Sequence, residues 1–450
     1  MFQTFKNAWK VPELRKKLLF TLVVILLYRI GANLYVPYVN VGLISLYSTW
    51  ASGNGIFAFL NMLSGSAFSQ GTIFALSVSP YITASIVIQL LTIAFPKLEK
   101  LSKDEEGRKK ITAATRWVTV GLALITAYGY VNLLGNQGFL TVTRANANGA
   151  NPVNYYFAMF VMIFCFCAGA SIIMWLAEKI NDHGIGNGIS IILFANIISR
   201  VSARVQELIN MVPAGVAEGA SANAWNYILG IIEVLISLAL ALATIVLIVW
   251  FTNSERRIKI IYAKKVVGRK MYGGQKTNLP LKMNMAGVMP VIFASSIVSL
   301  PSMIAAFVPN SGFASFVEKW LGTSTPIYII VYIALIFAFS FFYIAISFNP
   351  VEVANNIRSN GGAIIGIRPQ EMAPFIKKIL NRVTMMGAVF LAVISGVPLI
   401  VSGIVSAVGG TFTSIAFTGT SLLIAVGVAL ETVRDIEAQL SMRNYKGFLD

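Results

Sequence analysis

Apolar residues in this chain fall in long unbroken blocks instead of alternating with polar ones. Ten blocks recur, at approximately 18–36, 73–95, 111–134, 155–177, 189–209, 227–251, 285–307, 327–348, 383–404 and 417–433. About 20 apolar residues make a helix long enough to cross a bilayer core. The pattern therefore predicts an all-α polytopic membrane protein with ten transmembrane helices. The first block follows a basic stretch, as in a signal peptide, but it is too long for that role and no small-x-small cleavage site follows, so it reads as a retained span. Composition agrees: 56% of residues are hydrophobic and 12% charged, against about 25% charged in soluble domains. A soluble enzyme, a disordered chain, a collagen and a disulfide-rich secreted domain are excluded.

The polar segments between the blocks carry a topology signal. Five Lys or Arg lie in 1–17, six in 96–110, one in 178–188, nine in 252–284, five in 349–382 and three in 434–450. The alternate segments hold only Arg144 and Lys319. Basic residues concentrate on the cytoplasmic side of spans, so both termini are expected in the cytoplasm.

Topology alone does not require a 33-residue loop with nine basic residues and Glu255 as its one acid. Ile and Tyr stand among the Lys and Arg from Arg256 to Lys265, and glycines follow at Gly268, Gly273 and Gly274. This predicts a strand or hairpin turning at the glycines, a structured basic projection suited to RNA phosphate or an acidic protein. Candidate chemistry elsewhere is sparse. Cys165 and Cys167 lie two apart in an apolar block and face different ways, as core residues do. His183 is the one histidine, which leaves zinc little to bind. Walker A, His-Glu-x-x-His and Gly-x-Ser-x-Gly motifs are missing. Arg29, Arg200, Arg204 and Glu233 lie within spans and Arg116 at a span end, too few carboxylates for a proton relay.

Two features hint at a passage. The second and seventh blocks share Pro-x-Ile-x-Ala-Ser, as Pro80 to Ser85 and Pro290 to Ser295. These spans run in opposite directions, as equivalent parts of an inverted repeat must. Segment 37–72 carries no charge. Its apolar part is too short to span, so it is either a re-entrant piece or a helix on the membrane surface. The glycines of Gly184 to Ser190 predict close backbone approach at the start of the fifth span.

The chain resembles the SecY family, channel subunits of the bacterial protein-export translocase. The matching strings are Tyr28 to Gly31, Asn61 to Gly65, Pro80 to Ile86, Gln89 to Leu91, Gly184 to Ser190, Leu279 to Lys282, Asn284 to Gly287, Pro290 to Ile297, Gly366 to Pro369 and Gly419 to Ile424. The resemblance implies two inverted five-helix halves, 18–209 and 210–433, around an hourglass pore, with cytoplasmic tails 1–17 and 434–450. It places the pore ring at Val78, Ile82, Ile189, Leu193, Ile292 and Ile424, a narrow apolar ring of the kind that gates by dewetting. It implies a short plug helix at about 57–72, centred on Leu60, Asn61, Met62, Leu63, Ser64, Gly65, Ser66, Ala67, Phe68 and Ser69. Thr83, Ser85, Gln89, Ser295, Ser296 and Ser299 would line a lateral gate into lipid.

Loops 252–284 and 349–382 resemble those that dock the ribosome and the SecA motor, through Arg256, Arg257, Lys264, Lys265, Arg269, Lys270 and Arg368. Around Arg368 the family's Pro-Gly-Ile-Arg-Pro-Gly is Ile365 to Gln370 here, which changes the turn. Small SecE-like and SecG-like membrane subunits, signal peptides, unfolded precursors and membrane lipid are the further partners implied. The location implied is the bacterial plasma membrane, and neither an enzymatic activity nor a cofactor is implied. A small-solute secondary transporter is the alternative that the inverted echo leaves open.

Overall fold

The computed structural model describes residues 2–40, 60–142, 155–202, 205–206, 224–262, 265–267, 270–272, 276–307, 311–322, 325–407 and 416–446. Each of the ten apolar blocks carries a helix: α2 (Pro12–Gly31), α4 (Ser79–Ala94), α6 (Glu105–Asn136), α7 (Tyr155–His183), α8 (Gly188–Ser199), α9 (Ala224–Asn253), α10 (Met289–Phe307), α12 (Pro326–Ser347), α14 (Met372–Ala407) and α15 (Ala416–Lys446). Short helices stand between or beside them: α1 (Phe2–Lys10), α3 (Ala67–Gln70), α5 (Pro96–Lys103), α11 (Gly312–Leu321) and α13 (Pro350–Ser359). Among the described residues, the segments Glu105–Asn136, Tyr155–His183, Pro326–Ser359 and Met372–Ile400 are each long and apolar enough to cross a membrane unaided.

Helix ends differ from the apolar blocks for local reasons. The helix α4 starts at Ser79, six residues after its block begins, because 73–78 is a run of turns and Pro80 is at the helix start. Proline is favoured there because its missing N–H would be unpaired anyway. At the other end Phe95 is extended, as a residue before proline tends to be, and α5 leaves at 111°. The helices α14 and α15 overrun their blocks into the charged stretches holding Lys377, Lys378 and Arg434. Hydropathy marks the apolar part of a helix, not its length.

The chain forms two compact units, one of Met1–Leu240, Ser295–Tyr328 and Ile424–Asp450, the other of Ala241–Ala294 and Ile329–Leu423. In the first, a core of Ala123, Ala127, Tyr130, Met162, Phe166 and Ala170 joins α6 to α7, with Cys167 inside it and Cys165 packed against it. Glycines bring backbones together, as expected. A Cβ at Gly188 would lie 2.0 Å from the Ala177 carbonyl oxygen, and one at Gly169 would lie 2.0 Å from that of Ile73. The two ends of the chain are also joined in this unit. Ala8, Leu14, Ile185 and Ile436 share a small core, and Lys17 Nζ donates to Gln439 Oε1 at 3.2 Å.

The second unit contains the expected hairpin. Strand β1 (Glu255–Tyr262) pairs antiparallel with β4 (Lys276–Lys282), from Glu255 opposite Lys282 to Ile261 opposite Lys276. Between them β2 (Lys265–Val267) pairs with β3 (Lys270–Tyr272), while the glycines at 268, 273 and 274 lie outside the described residues. The second basic loop adds β5 (Gly362–Ile364) to the other edge of β1, giving the order β4-β1-β5. Alternate residues Ile258 and Ile260, with Leu281 and Ile364, face Ala354, Ile357, Met372 and Ile376 of α13 and α14. A fully buried side chain of this kind contributes about 2 kcal/mol in a water-exposed domain. The polar faces of the strands stay outside.

The internal echo extends beyond its six positions. Ser77 and Gly287 both have left-handed backbone, at φ 51° and 63°. Each is followed by valine, and each precedes a proline in the first turn of its helix. Neither proline kinks its helix; both start it.

Candidate functional site

The expected plug lies in the first unit, with 57–59 outside the described residues. Residues 60–63 form one helical turn, 64–66 a tight turn, and α3 follows. Gly65, Ser66 and Gly71 are all left-handed, at φ 63°, 76° and 62°. Glycine meets this geometry without strain; Ser66 does not. The segment caps itself: Phe68 N–H donates to Ser64 Oγ at 3.0 Å and Ser69 N–H to Asn61 Oδ1 at 3.1 Å. Leu60, Met62, Leu63, Ala67 and Phe68 are buried, as are Asn61 and Ser64. Of the two expectations for this stretch, a re-entrant piece fits the burial.

Side-chain donors from elsewhere in the unit hold the segment by its carbonyls. Ser77 Oγ donates to the Leu63 carbonyl at 2.8 Å and Asn196 Nδ2 donates to the same oxygen at 2.6 Å. The Tyr130 hydroxyl of α6 donates to the Phe68 carbonyl, and its ring lies 4.8 Å from that of Phe68. Gly65 leaves room for its neighbours: a Cβ there would lie 2.8 Å from Asn196 Oδ1 and 3.1 Å from both Arg29 Nη1 and Ser199 Oγ. Arg29, within the first apolar block, thus lies against this turn. Nothing in the sequence pointed to Asn196, Ser77 or Tyr130, because none belongs to a motif and each bond is long-range.

The expected ring positions, apart from Ile424, fall at or near helix starts. Val78 precedes α4 and Ile82 is one turn on, with Ile82 N–H donating to the Val78 carbonyl at 3.0 Å. Ile189 and Leu193 repeat the spacing at the start of α8, where Asn187 Oδ1 accepts the Ile189 N–H at 3.0 Å. Spacing of four puts each pair on one helix face. Ile292 lies in the first turn of α10 and Ile424 within α15. Val78, Ile82, Leu193, Ile292 and Ile424 are buried and Ile189 half-buried.

The expected gate residues make several bonds along their own helix. Thr83 Oγ1 donates to the Ser79 carbonyl, Gln89 Nε2 to Ser85 Oγ and Ser299 Oγ to the Ser296 carbonyl. Ser295, Ser296 and Ser299 are buried. One ionic contact was not anticipated. Arg116 of α6 and Glu178 of α7 form a two-pronged pair, Nε to Oε1 at 2.9 Å and Nη2 to Oε2 at 2.9 Å.

In the second unit Arg256, Arg257 and Arg368 are exposed. Lys265 and Lys270 lie on β2 and β3, and Lys264 and Arg269 lie outside the described residues. Arg257 pairs with Glu255 at 2.6 Å, beside an open cleft of about 540 Å³ lined also by Lys276, Thr277, Asn278 and Pro280. Around Arg368 the turn forms with Gly366 at φ 80°, and the Arg368 carbonyl accepts the Glu371 N–H at 2.9 Å. The strand β5 joins this turn to the sheet that carries Arg256 and Arg257, so the two basic loops share one sheet.

These features define a multi-pass α-helical membrane protein with a buried re-entrant segment and a basic β projection. The SecY family model matches residues 72–433. The protein translocase subunit SecY of Streptomyces galbus is 43% identical over 455 residues, covering all of both chains. The chain belongs to the SecY family. Among solved structures, it is similar to a SecY whose plug domain is described as stabilising the closed state of the translocation channel and maintaining a membrane seal. That match has 18% identity and a TM-score of 0.57, covering 95% of this chain and 96% of the other. The channel of a canine ribosome–channel complex from the endoplasmic reticulum matches at 17% identity, with a TM-score of 0.57 and the same coverages.

Proposed function

We propose that this chain is the central subunit of a protein-conducting channel, passing unfolded polypeptides across the membrane and releasing apolar segments sideways into lipid. The observation that carries this reading is the short, charge-free segment seated inside the first unit and held there by side-chain donors to its carbonyls. Such a seat suits a removable stopper better than a structural helix, whose carbonyls would be bonded within the helix itself. We take residues 57–72 as the plug and the aliphatic positions Val78, Ile82, Ile189, Leu193, Ile292 and Ile424 as the waist of the passage. Branched apolar side chains offer nothing to an ion and exclude water from a narrow ring. They also accommodate many sliding side chains without binding any.

The halves 18–209 and 210–433 would enclose that passage, with Thr83, Ser85, Gln89, Ser295, Ser296 and Ser299 along its side opening. Bonds between such residues in membranes average about 0.6 kcal/mol, weak enough for an entering apolar helix to displace. Arg256, Arg257 and Arg368, together with Lys265 and Lys270 of the hairpin, suit ribosomal RNA and an acidic face of a motor ATPase. Both termini lie in the cytoplasm of a bacterial cell under the basic-residue rule. SecE-like and SecG-like subunits complete the assembly. The chain itself supplies a gated path, and its partners supply the energy.

The test is reconstitution of the complex with its small subunits and motor in vesicles. The proposal predicts ATP-dependent protection of a secretory precursor from added protease. No protection of a precursor that binds the complex, together with uptake of a small solute, would overturn it.

A further inference from the structure

We infer that Ser77 and Asn196 form a two-donor latch on the Leu63 carbonyl that sets how readily the plug leaves its seat. The inference rests on the plug reading above. Leu63 ends the helical turn 60–63, so its carbonyl is one of those a helix leaves without an internal partner. Both donors that satisfy it come from outside the segment, Ser77 Oγ at 2.8 Å and Asn196 Nδ2 at 2.6 Å. Nothing in the plug's own backbone replaces them when it moves.

Each donor stands where its residue type is locally unfavourable. Ser77 has φ 51°, a conformation that costs an L side chain and suits glycine. The equivalent position of the second repeat is Gly287, at φ 63°, and a Cβ there would meet nothing within 4 Å. The backbone turn therefore needs no side chain; the Ser77 hydroxyl serves the plug. Asn196 is a fully buried amide in the otherwise apolar run Ile191 to Ile198. Its amide also lies beside the buried Tyr28 hydroxyl, which interacts with both Asn196 and Ser77. A buried amide costs an apolar helix stability unless it is bonded, and the bond Asn196 makes to the segment is the Nδ2 donor to Leu63. Once the plug is displaced, both donors are free to bond water or the backbone of a passing chain, so the latch opens without leaving them stranded. Ser77 and Asn196 act through the plug and are positioning residues.

The test compares four forms of the whole complex in planar bilayers, reading the resting ion leak. Ser77→Gly removes one donor while keeping a residue that accepts the turn, and Asn196→Leu removes the other. Each is expected to raise the ratio of open to closed channels about fivefold, the effect of losing one net hydrogen bond. The unfolding temperature of Ser77→Gly should hold steady while its leak rises, a divergence that a general structural role would not produce. Deletion of 60–70 is the fourth form, beside wild type. A leaky deletion with tight Ser77→Gly and Asn196→Leu channels would overturn the latch and leave the plug standing. A tight deletion would overturn the plug reading and the latch with it. A Ser77→Gly leak that only accompanies a fall in unfolding temperature would also overturn the latch.

Discussion

Ser77 and Gly287 hold the same place in two repeats: each lies three residues before a proline that starts a helix, and each has left-handed backbone. The bonds that follow are alike, Ile82 N–H to the Val78 carbonyl at 3.0 Å and Ile292 N–H to the Val288 carbonyl at 3.3 Å. At Gly287 no neighbour obstructs a Cβ, so Gly287→Ala isolates the backbone cost. It should destabilise the purified protein by about 1 kcal/mol, read as a lower unfolding temperature in detergent. An unchanged temperature would mean that the turn before α10 tolerates an L residue.

Gly188 and Gly121 make a contrasting pair. A Cβ at Gly188 would lie 2.0 Å from the Ala177 carbonyl oxygen, and the start of α8 could not then approach α7. Gly188→Ala should give little folded protein. At Gly121, inside α6, nothing lies within 4 Å, and Gly121→Ala should be neutral or stabilising by about 0.5–1 kcal/mol. Size-exclusion profiles and unfolding temperatures of the two variants separate these outcomes.

The Arg116–Glu178 pair links α6 to α7 by two contacts of 2.9 Å, but the Arg116 side chain is 53% exposed. Water screens it, so the coupling in a double-mutant cycle with Arg116→Gln and Glu178→Gln should be only ~0.5 kcal/mol. Because one side faces solvent, the coupling should shrink further in 1 M salt, where screening acts over about 3 Å. A coupling that is large and indifferent to salt would contradict the exposed geometry.

Charge reversal tests the proposed docking role of the two basic loops. Arg256→Glu with Arg368→Glu should weaken binding to purified ribosomes and flatten its salt dependence, by about one unit of slope per lost phosphate contact. Lys319→Glu, in a different segment, should leave binding unchanged. Equal losses from all three positions would point to a general charge effect instead of a docking surface.

The helices were legible because spans are long and almost purely apolar, while their ends were not. Met372 and Lys446 bound helices that continue through charged stretches, and charge does not stop a helix. The hairpin was legible in Ile258, Ile260 and Tyr262 standing among basic residues, with glycines to follow. Its third strand was not, since Gly362, Ala363 and Ile364 are too few to show a period. Within the site, the charge-free stretch marked the buried segment proposed as the plug, and the family strings marked the candidate ring. The donors that hold the plug escaped notice for a physical reason: Asn196 reaches Leu63 across 133 residues of sequence, and a serine gives no hint that it will take the backbone of a glycine.

The central claim is that an unfolded polypeptide passes the aliphatic ring. After Cys165 and Cys167 are replaced, one cysteine is placed at Ile82 or Ile292 and one in a precursor stalled halfway through export. The account predicts a disulfide between chain and precursor at these positions and none at the exposed control Trp117. A stalled precursor that engages the complex yet never links to Ile82 or Ile292, or links equally well to Trp117, would contradict it.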